Sequence, residues 1–515
     1  MTRTYTELLR LVDAAETVQP PGPAPAALGT EPTAGPGAGA GADQAALNEA
    51  PDDPHRLARV NLACYASRHG GRTLRFWRDE WYVWKRNRYQ KISAGELRAK
   101  ITAAVKCEFD RLYRQELAAA EASSRDGQEP PVVRKVTMPI VSATLQSTTG
   151  MTCIPGACEF GTWLPDRTER AYVAMENGIL DLDAMMADHD DVLLPHAADW
   201  FSTVCLPYRF EPGAPCRKWL AFLDYNLESD TERIHVLQEW FGLCLTKDTS
   251  FQRFLAMEGE GANGKSVAMA ALTAMLGREN VSSVSLEEFG ERFALTGTIG
   301  KLLNTAGDCS EIDKAAEGRL KSYTSGDRMF FDRKGLPGVH CSPTARLMFN
   351  FNTRPRFADR SDGLWRRMLL MPWRVKVPPE RRLLGMDNAC WWEGSGELPG
   401  ILCWAVRGLV RLRAQCAFTP SRVMQEATEE YQEEMNPARA FLLDRCRQDA
   451  HAITVCSELY EAYCDWCKKT GHSHPLSDRQ FGKEVRRRFS GTKRERETTG
   501  DRQWYYTDLA VGEPL

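Results

Sequence analysis

The chain has 515 residues, a formal net charge of −3, 43% hydrophobic residues and 26% charged residues. This length calls for several domains, the near-balanced charge confines any nucleic-acid surface to local patches, and no apolar run is long enough to cross a membrane. The 16 cysteines are scattered through apolar and helical stretches and residues 1–18 have no signal-peptide core, so they read as reduced core thiols of a cytoplasmic protein, not as a disulfide framework.

In chain order, residues 1–18 have the pattern of a short amphipathic helix. Residues 19–54 form an Ala-, Gly- and Pro-rich linker with too few large apolar side chains to offset the entropy of ordering it. Residues 55–214 read as a mixed α/β domain. Within it Phe76, Trp77, Trp81, Tyr82, Trp84 and Tyr89 are interleaved with Arg78, Lys85, Arg86, Arg88 and Lys91. Such a stretch suits a base-stacking platform for single-stranded nucleic acid, or a hairpin whose aromatics are simply the core of a small domain; strand composition alone predicts the second. Asp181 and Asp183 could hold a metal as polymerase carboxylates do, although a single Asp-x-Asp is more often the outer face of an edge strand. Residues 215–249 carry apolar side chains at helical spacing, including Trp219, Leu223, Leu237 and Phe241, and predict two short helices.

Residues 250–376 hold the motifs with the most chemistry. Gly259-Glu260-Gly261-Ala262-Asn263-Gly264-Lys265-Ser266 fits the phosphate-loop pattern in full, between a strand expected over 251–257 and a helix expected over 267–276. Gly259, Gly261, Asn263, Gly264, Lys265 and Ser266 are therefore the expected nucleotide-binding residues. The glycines let N–H groups point at phosphate oxygens, Lys265 reaches the β- and γ-phosphates, and the Ser266 hydroxyl holds Mg²⁺. A strand over 301–307 ends at Asp308, placed to complete the Mg²⁺ shell and orient the attacking water, with Glu311 in reserve. A strand over 346–352 ends in Asn352, which can hydrogen-bond the γ-phosphate and that water. Arg366 and Arg367 precede a further strand over 368–373 and suit a finger inserted into a neighbouring subunit's site. Between them, residues 326–340 read as a hairpin with a basic tip, whose Arg333, Lys334 and His340 are candidates for gripping a DNA backbone.

Residues 377–435 read as helical, from Leu398 to Glu434. From Asn436 to the end the expected order is helix (438–449), short strand, helix (457–469), helix (477–489) and two strands around 498–508, which is that of a winged helix. Arg486, Arg487 and Lys493 belong to a cluster of positive charge on the third helix and wing, where DNA-binding modules carry it. Cys464 and Cys467, followed by His472 and His474, invite a zinc reading, but the histidines come too soon for finger spacing and Tyr460, Tyr463 and Cys467 share a core-like stripe.

Together these motifs resemble the superfamily 3 helicases, a branch of the AAA+ ATPases, and within them the phage and plasmid primase-helicase group of satellite phages and poxviruses. Asn263 in the phosphate loop, the strand ending at Asp308, the 321–334 segment, Asn352 and Arg367 resemble that group's motifs; of the arginine pair, Arg367 aligns better with its finger. The resemblance implies a multi-domain α/β protein with a central AAA+ phosphate-loop core, a mixed α/β N-terminal domain and a C-terminal winged helix. It further implies ATP and Mg²⁺ as cofactors and a homohexameric ring, with a single DNA strand in the pore and duplex or fork at the winged helix. Two departures stand out. Cys309 follows Asp308 where relatives often carry a second acid, and no stretch upstream is long enough for a primase core, so a separate primase or polymerase is the expected partner. The main expectation is thus an ATP-dependent replicative DNA helicase of a mobile element. The alternatives are an origin-binding or loading factor that recruits replication proteins without processive unwinding, and a primase-helicase.

Overall fold

The computed structural model describes residues 49–67, 71–122, 131–164, 170–187, 189, 191–307, 312–357, 362–471, 475–497 and 502–512. The expected N-terminal helix, most of the expected linker, Asp308, Glu311, His472 and His474 lie outside the described residues.

Asp53 caps the first described helix, its carboxylate accepting from His55 N at 2.8 Å and Arg56 N at 2.9 Å. That helix, α1 (Pro54–Ala63), is followed by an antiparallel sheet of β1 (Leu74–Trp77), β2 (Glu80–Lys85) and β3 (Arg88–Ile92), then by α2 (Ala94–Ala122) and α3 (Met138–Thr152). The sheet's aromatics are core. Trp77, Tyr82 and Tyr89 cluster with Phe160 and Phe201, while Trp81 packs with Leu97, Ile101 and Val105 of α2. Rings buried in this way offer no face to bases, so the stacking-platform reading does not hold.

Short strands β4 (Thr162–Trp163), β5 (Tyr172–Met175) and β6 (Gly178–Asp181) precede α4 (Leu182–Met186), β7 (Leu193–Leu194) and β8 (Trp200–Phe201). Asp181 caps α4, its Oδ1 accepting from Asp183 N at 3.0 Å and Ala184 N at 2.9 Å. Asp183 accepts from Arg413 Nη1 at 2.6 Å and Ala171 N at 2.7 Å. Both carboxylates have structural partners, which explains the pair without a metal.

Two helices, α5 (Arg217–Asn226) and α6 (Thr231–Leu243), lead into β9 (Phe254–Glu258), α7 (Lys265–Leu276), β10 (Val281–Ser282), β11 (Leu303–Ala306) and α8 (Lys314–Ser325). The hairpin β12 (Met329–Arg333) and β13 (Leu336–Cys341) comes next, then β14 (Arg346–Phe351), α9 (Asp362–Trp365) and β15 (Met368–Pro372). The central sheet has the order β10-β11-β14-β9-β15 and every neighbouring pair is parallel. Parallel strands covered on both faces are apolar on both. In β14, accordingly, Leu347, Phe349 and Phe351 enter one core cluster and Met348 the other.

After the sheet come α10 (Ala389–Gly394), α11 (Leu398–Gln415) and α12 (Arg422–Met435). Helices α6 and α11 meet backbone to backbone at glycines. A methyl group on Gly242 would sit 2.7 Å from Leu409 N, and one on Gly408 would sit 2.7 Å from Glu239 N.

The C-terminal module runs α13 (Pro437–Arg445), β16 (Cys446–Val455), α14 (Cys456–Thr470), α15 (Asp478–Arg488), β17 (Arg494–Arg496) and β18 (Trp504–Val511), with sheet order β16-β18-β17. This is a winged-helix order. The first helix, however, ends at Arg445, well before the expected 449, because residues from Cys446 pair with β18, and the short strand is ten residues long. Long-range pairing overrides the local helical pattern there. Cys467 is buried beside Tyr463, whose ring stacks on Phe481 at 4.4 Å, so the helix stripe is core; no cluster of metal-binding side chains occurs among the described residues. The core-thiol reading of the cysteines holds for Cys158, Cys205, Cys216, Cys244, Cys341, Cys403, Cys456 and Cys467 but not for Cys64, Cys107, Cys153, Cys390 and Cys416, which are exposed. No described helix is long and apolar enough to cross a membrane.

The glycine contacts make a direct prediction. Gly408→Ala forces α6 and α11 apart and should lower stability by about 1–3 kcal/mol. Gly318→Ala on exposed α8, where a methyl group meets nothing within 4 Å, should be neutral or stabilising by up to about 1 kcal/mol. Urea denaturation of the two variants checks both.

Candidate functional site

The phosphate loop closes the C-terminal end of β9 and opens α7. It needs backbone that side chains resist: Gly261 has φ +97°, Gly264 has φ +92°, and Ala262 itself is left-handed at φ +52°. Asn263 is buried and its Nδ2 donates to Trp373 O at 3.0 Å, tying the loop to the end of β15. Lys265 is also buried. Its Nζ donates to Gly259 O at 2.6 Å, Asn263 Oδ1 at 3.1 Å and Asn352 Oδ1 at 3.2 Å. The register of β14 on β9, with Phe351 opposite Glu258, brings Asn352 to the lysine. The predicted residues Gly259, Gly261, Asn263, Gly264, Lys265 and Asn352 thus form one constellation, with Ser266 exposed at the helix N-terminus.

A cavity of about 980 Å³ opens over this loop, a size suited to a nucleotide. Its lining includes residues 261–267, Gly307, Asn350 and Asn352 from the sheet side, Phe222, Tyr225 and Asn226 from α5, and a strap around 380–387. Backbone donors at the start of α7 and the ammonium of Lys265 suit phosphates. Gly307, the last described residue before Asp308, lines the cavity wall.

Three features of the site were missed from sequence. Asn350 is buried on the same strand face as Asn352, and its Oδ1 has no hydrogen-bond partner among the described residues. Asn226 is buried, its Oδ1 likewise unpartnered. Both were visible as lone amides in otherwise apolar stripes. The third is Arg354, which donates to Glu258 through Nε at 2.9 Å and Nη2 at 3.1 Å, and to Glu434 at 3.0 Å and Glu430 at 3.1 Å. Its guanidinium also lies 5.3 Å from the Tyr431 ring centre. The surrounding carboxylates push its pKa upward, so it stays charged. This cluster joins the last residue of β9 to α12, and α12 leads directly into the winged helix.

The remaining predicted residues are elsewhere. Arg367 precedes β15, at the opposite end of the sheet from the phosphate loop. It is buried, with Nη1 donating to Gly363 O and Nη2 to Ser325 Oγ, both at 2.6 Å, whereas Arg366 is exposed. Arg367 therefore holds its own chain together, and of the pair Arg366 is the one that faces outward. Of the hairpin residues, Arg333 is also turned inward. It donates to Pro337 O and Arg78 O at 2.8 Å each and pairs with Glu80 at 3.5 Å and Asp79 at 3.7 Å, so it anchors the hairpin to the N-terminal sheet instead of facing a strand of DNA. Lys334 and His340 are exposed, and Phe330, 57% exposed, lies with its ring centre 5.0 Å from that of His340. On the winged helix, Arg486, Arg487 and Lys493 are exposed as expected. The wing adds Trp504, half-exposed, with Arg494 at 5.0 Å and Arg496 at 5.9 Å from its ring.

Residues 257–367 match a family of unknown function, DUF5906, and residues 436–513 match the RFX DNA-binding domain. A putative helicase of Acanthamoeba polyphaga mimivirus is 22% identical over 431 residues, covering 75% of this chain and 43% of the relative. A putative helicase of Frog virus 3 (isolate Goorha) is 22% identical over 233 residues, covering 40% of this chain and 23% of the relative. The chain therefore spans less than half the length of either. A structure of the C-terminal region of NrS-1 superposes with a TM-score of 0.47 at 11% identity, covering 89% of this chain and 99% of that one. The C-terminal match supports DNA binding by the winged helix.

The Arg354 cluster yields a stability test. Arg354→Ala leaves Glu258 facing a largely buried site without its cation and should cost up to about 3 kcal/mol. Glu430→Ala removes the most exposed of the three acids and should cost less than about 1 kcal/mol. Thermal unfolding of the two variants beside the parent chain reads the difference.

Proposed function

We propose that this chain, a phage/virus primase-helicase-like protein by its motifs and its relatives, is an ATP-driven replicative DNA helicase that works as a homohexameric ring and draws one strand through its pore. The observation that carries the reading is the placement of Lys265, whose Nζ donates to Gly259 O, Asn263 Oδ1 and Asn352 Oδ1 at the mouth of a nucleotide-sized cavity. A triphosphate would offer that ammonium anionic acceptors, which bind it about twice as strongly as neutral ones.

In this reading the loop's N–H groups and Lys265 bind the β- and γ-phosphates. Ser266 and Asp308 would hold Mg²⁺, which offsets phosphate charge when bound. Asn352, displaced from Lys265, turns its amide to the γ-phosphate and the attacking water. The arginine pair Arg366 and Arg367 acts on the neighbouring subunit's nucleotide, Arg366 from the exposed position and Arg367 once its bonds to Gly363 and Ser325 open. Lys334 and His340 at the hairpin follow the strand backbone, and the basic helix α15 with Lys493 of the wing holds duplex or fork.

A second reading, an ATP-dependent origin-binding or loading factor, is favoured by the winged helix and its exposed arginines. A primase-helicase reading gains no support from Asp181 and Asp183, which are both committed to local hydrogen bonds.

Lys265→Ala should reduce ATP hydrolysis to background, and the Arg366→Ala/Arg367→Ala double variant should slow it by about 10³-fold or more. Lys334→Ala should lose unwinding of a forked duplex more severely than it loses hydrolysis. A parent chain that hydrolyses ATP and binds the fork yet never separates its strands would favour the loading factor. A parent chain with no nucleotide-dependent activity would sink both readings.

A further inference from the structure

The phosphate loop recognises only the phosphate half of a nucleotide. We propose that the nucleoside half is held by a subsite formed by α5 and the strap around 380–387, in which Asn226 accepts a hydrogen bond from the nucleoside and Tyr225, backed by Arg381, takes the face of the base. This rests on the nucleotide reading above and extends it to the part of the ligand that no phosphate-loop residue touches.

Asn226 carries the argument. It is 3% exposed, and its Nδ2 donates to Phe222 O at 2.8 Å. That bond turns Oδ1 away from the helix and toward the loop: a methyl group built on Gly264 would lie 2.9 Å from it. Oδ1 has no hydrogen-bond partner among the described residues, and Asn226 lines the same cavity as Lys265. A buried acceptor left without a donor costs about 1–3 kcal/mol, so the site favours a ligand that brings one. Phosphate oxygens are acceptors and repel it. The donors of a nucleoside triphosphate are the ribose hydroxyls and the exocyclic amine of its base, both on the far side of the α-phosphate. Asn226 is therefore placed to recognise either of these groups.

The walls of the cavity fit the same half of the ligand. Tyr225 is 36% exposed, one residue before Asn226, and the Arg381 guanidinium lies 5.1 Å from its ring centre. Such a pair presents a flat, polarised surface suited to stacking. On the opposite wall the strap holds Leu383, 60% exposed, and Leu384, 94% exposed, which a bound base would cover. The strap is anchored at the loop itself, with Val377 N donating to Ala262 O at 2.8 Å, so its position depends on the phosphate loop's conformation.

Calorimetric titration of the full chain tests this with five probes: ATP, 2′-deoxy-ATP, 3′-deoxy-ATP, purine riboside triphosphate, which lacks the amine, and inorganic tripolyphosphate. Asn226→Leu should weaken ATP by about 5- to 30-fold and leave tripolyphosphate affinity unchanged. The parent chain should bind one of the modified nucleotides as weakly as Asn226→Leu binds ATP, and that analogue should lose nothing further in the variant, identifying the donor as ribose or amine. Tyr225→Ala, an exposed change that leaves the core intact, should weaken every nucleoside triphosphate and not tripolyphosphate. If Asn226→Leu and Tyr225→Ala both bind ATP as the parent does, the subsite is wrong while the phosphate-loop reading stands, and an ordered water satisfies Asn226. If the parent binds neither ATP nor tripolyphosphate, the nucleotide reading fails and the subsite with it.

Discussion

The parallel pairing of β14 on β9 is the constraint on which the rest depends. β9 carries the phosphate loop at its end, and the residues that prepare Lys265 come from both flanking strands. Asn352 arrives from β14 on one side, and Trp373, just past β15, holds Asn263 on the other. A slip of β14 by one residue would turn Asn350 and Asn352 to the opposite face and send Leu347 and Phe349 into the wrong core. The apolar layers on both faces of the sheet oppose that slip, so the same burial that stabilises the fold aligns the amide with the lysine.

A second constraint links this centre to the DNA-binding module. Arg354, Glu258, Glu430 and Glu434 form one ion cluster, and the Tyr431 hydroxyl donates to Pro355 O beside it. The helix that supplies Glu430 and Glu434 ends at Asn436, whose side chain donates to Glu484 of the basic helix α15 at 2.9 Å. The residue before the phosphate loop and the helix carrying Arg486 and Arg487 are thus both tied by polar contacts to the C-terminal part of α12. The glycine seam between α6 and α11 lets two backbones approach more closely than any side chain would allow.

Buried cations divide by role. Lys265 donates to Gly259 O, Asn263 Oδ1 and Asn352 Oδ1 at the mouth of a cavity. Arg333, Arg354 and Arg367 are instead enclosed by carboxylates, carbonyls or a hydroxyl of their own chain. A guanidinium offers several donors in a rigid fork, and each of these three uses more than one to bridge separate elements. Lys334, Arg366, Arg486 and Lys493, by contrast, are exposed.

The amino-acid sequence by itself determined the α/β class, the order of helices and strands around the motor, the phosphate loop and the winged-helix order, because each rests on local periodicity or on glycines that only one backbone shape requires. Asn352 at its strand tip was legible for the same reason. Only the tertiary structure decided which charges face a ligand. The sequence cannot distinguish Arg366 from Arg367, or Lys334 from Arg333, since neighbouring basic residues share a composition and differ only in what packs over them. Nor does it show that Asn226, on a helix before the loop, and a strap more than a hundred residues after it enclose one cavity. That meeting is set by the stacking of α5 and the strap against the end of the sheet, a long-range arrangement that no local pattern encodes.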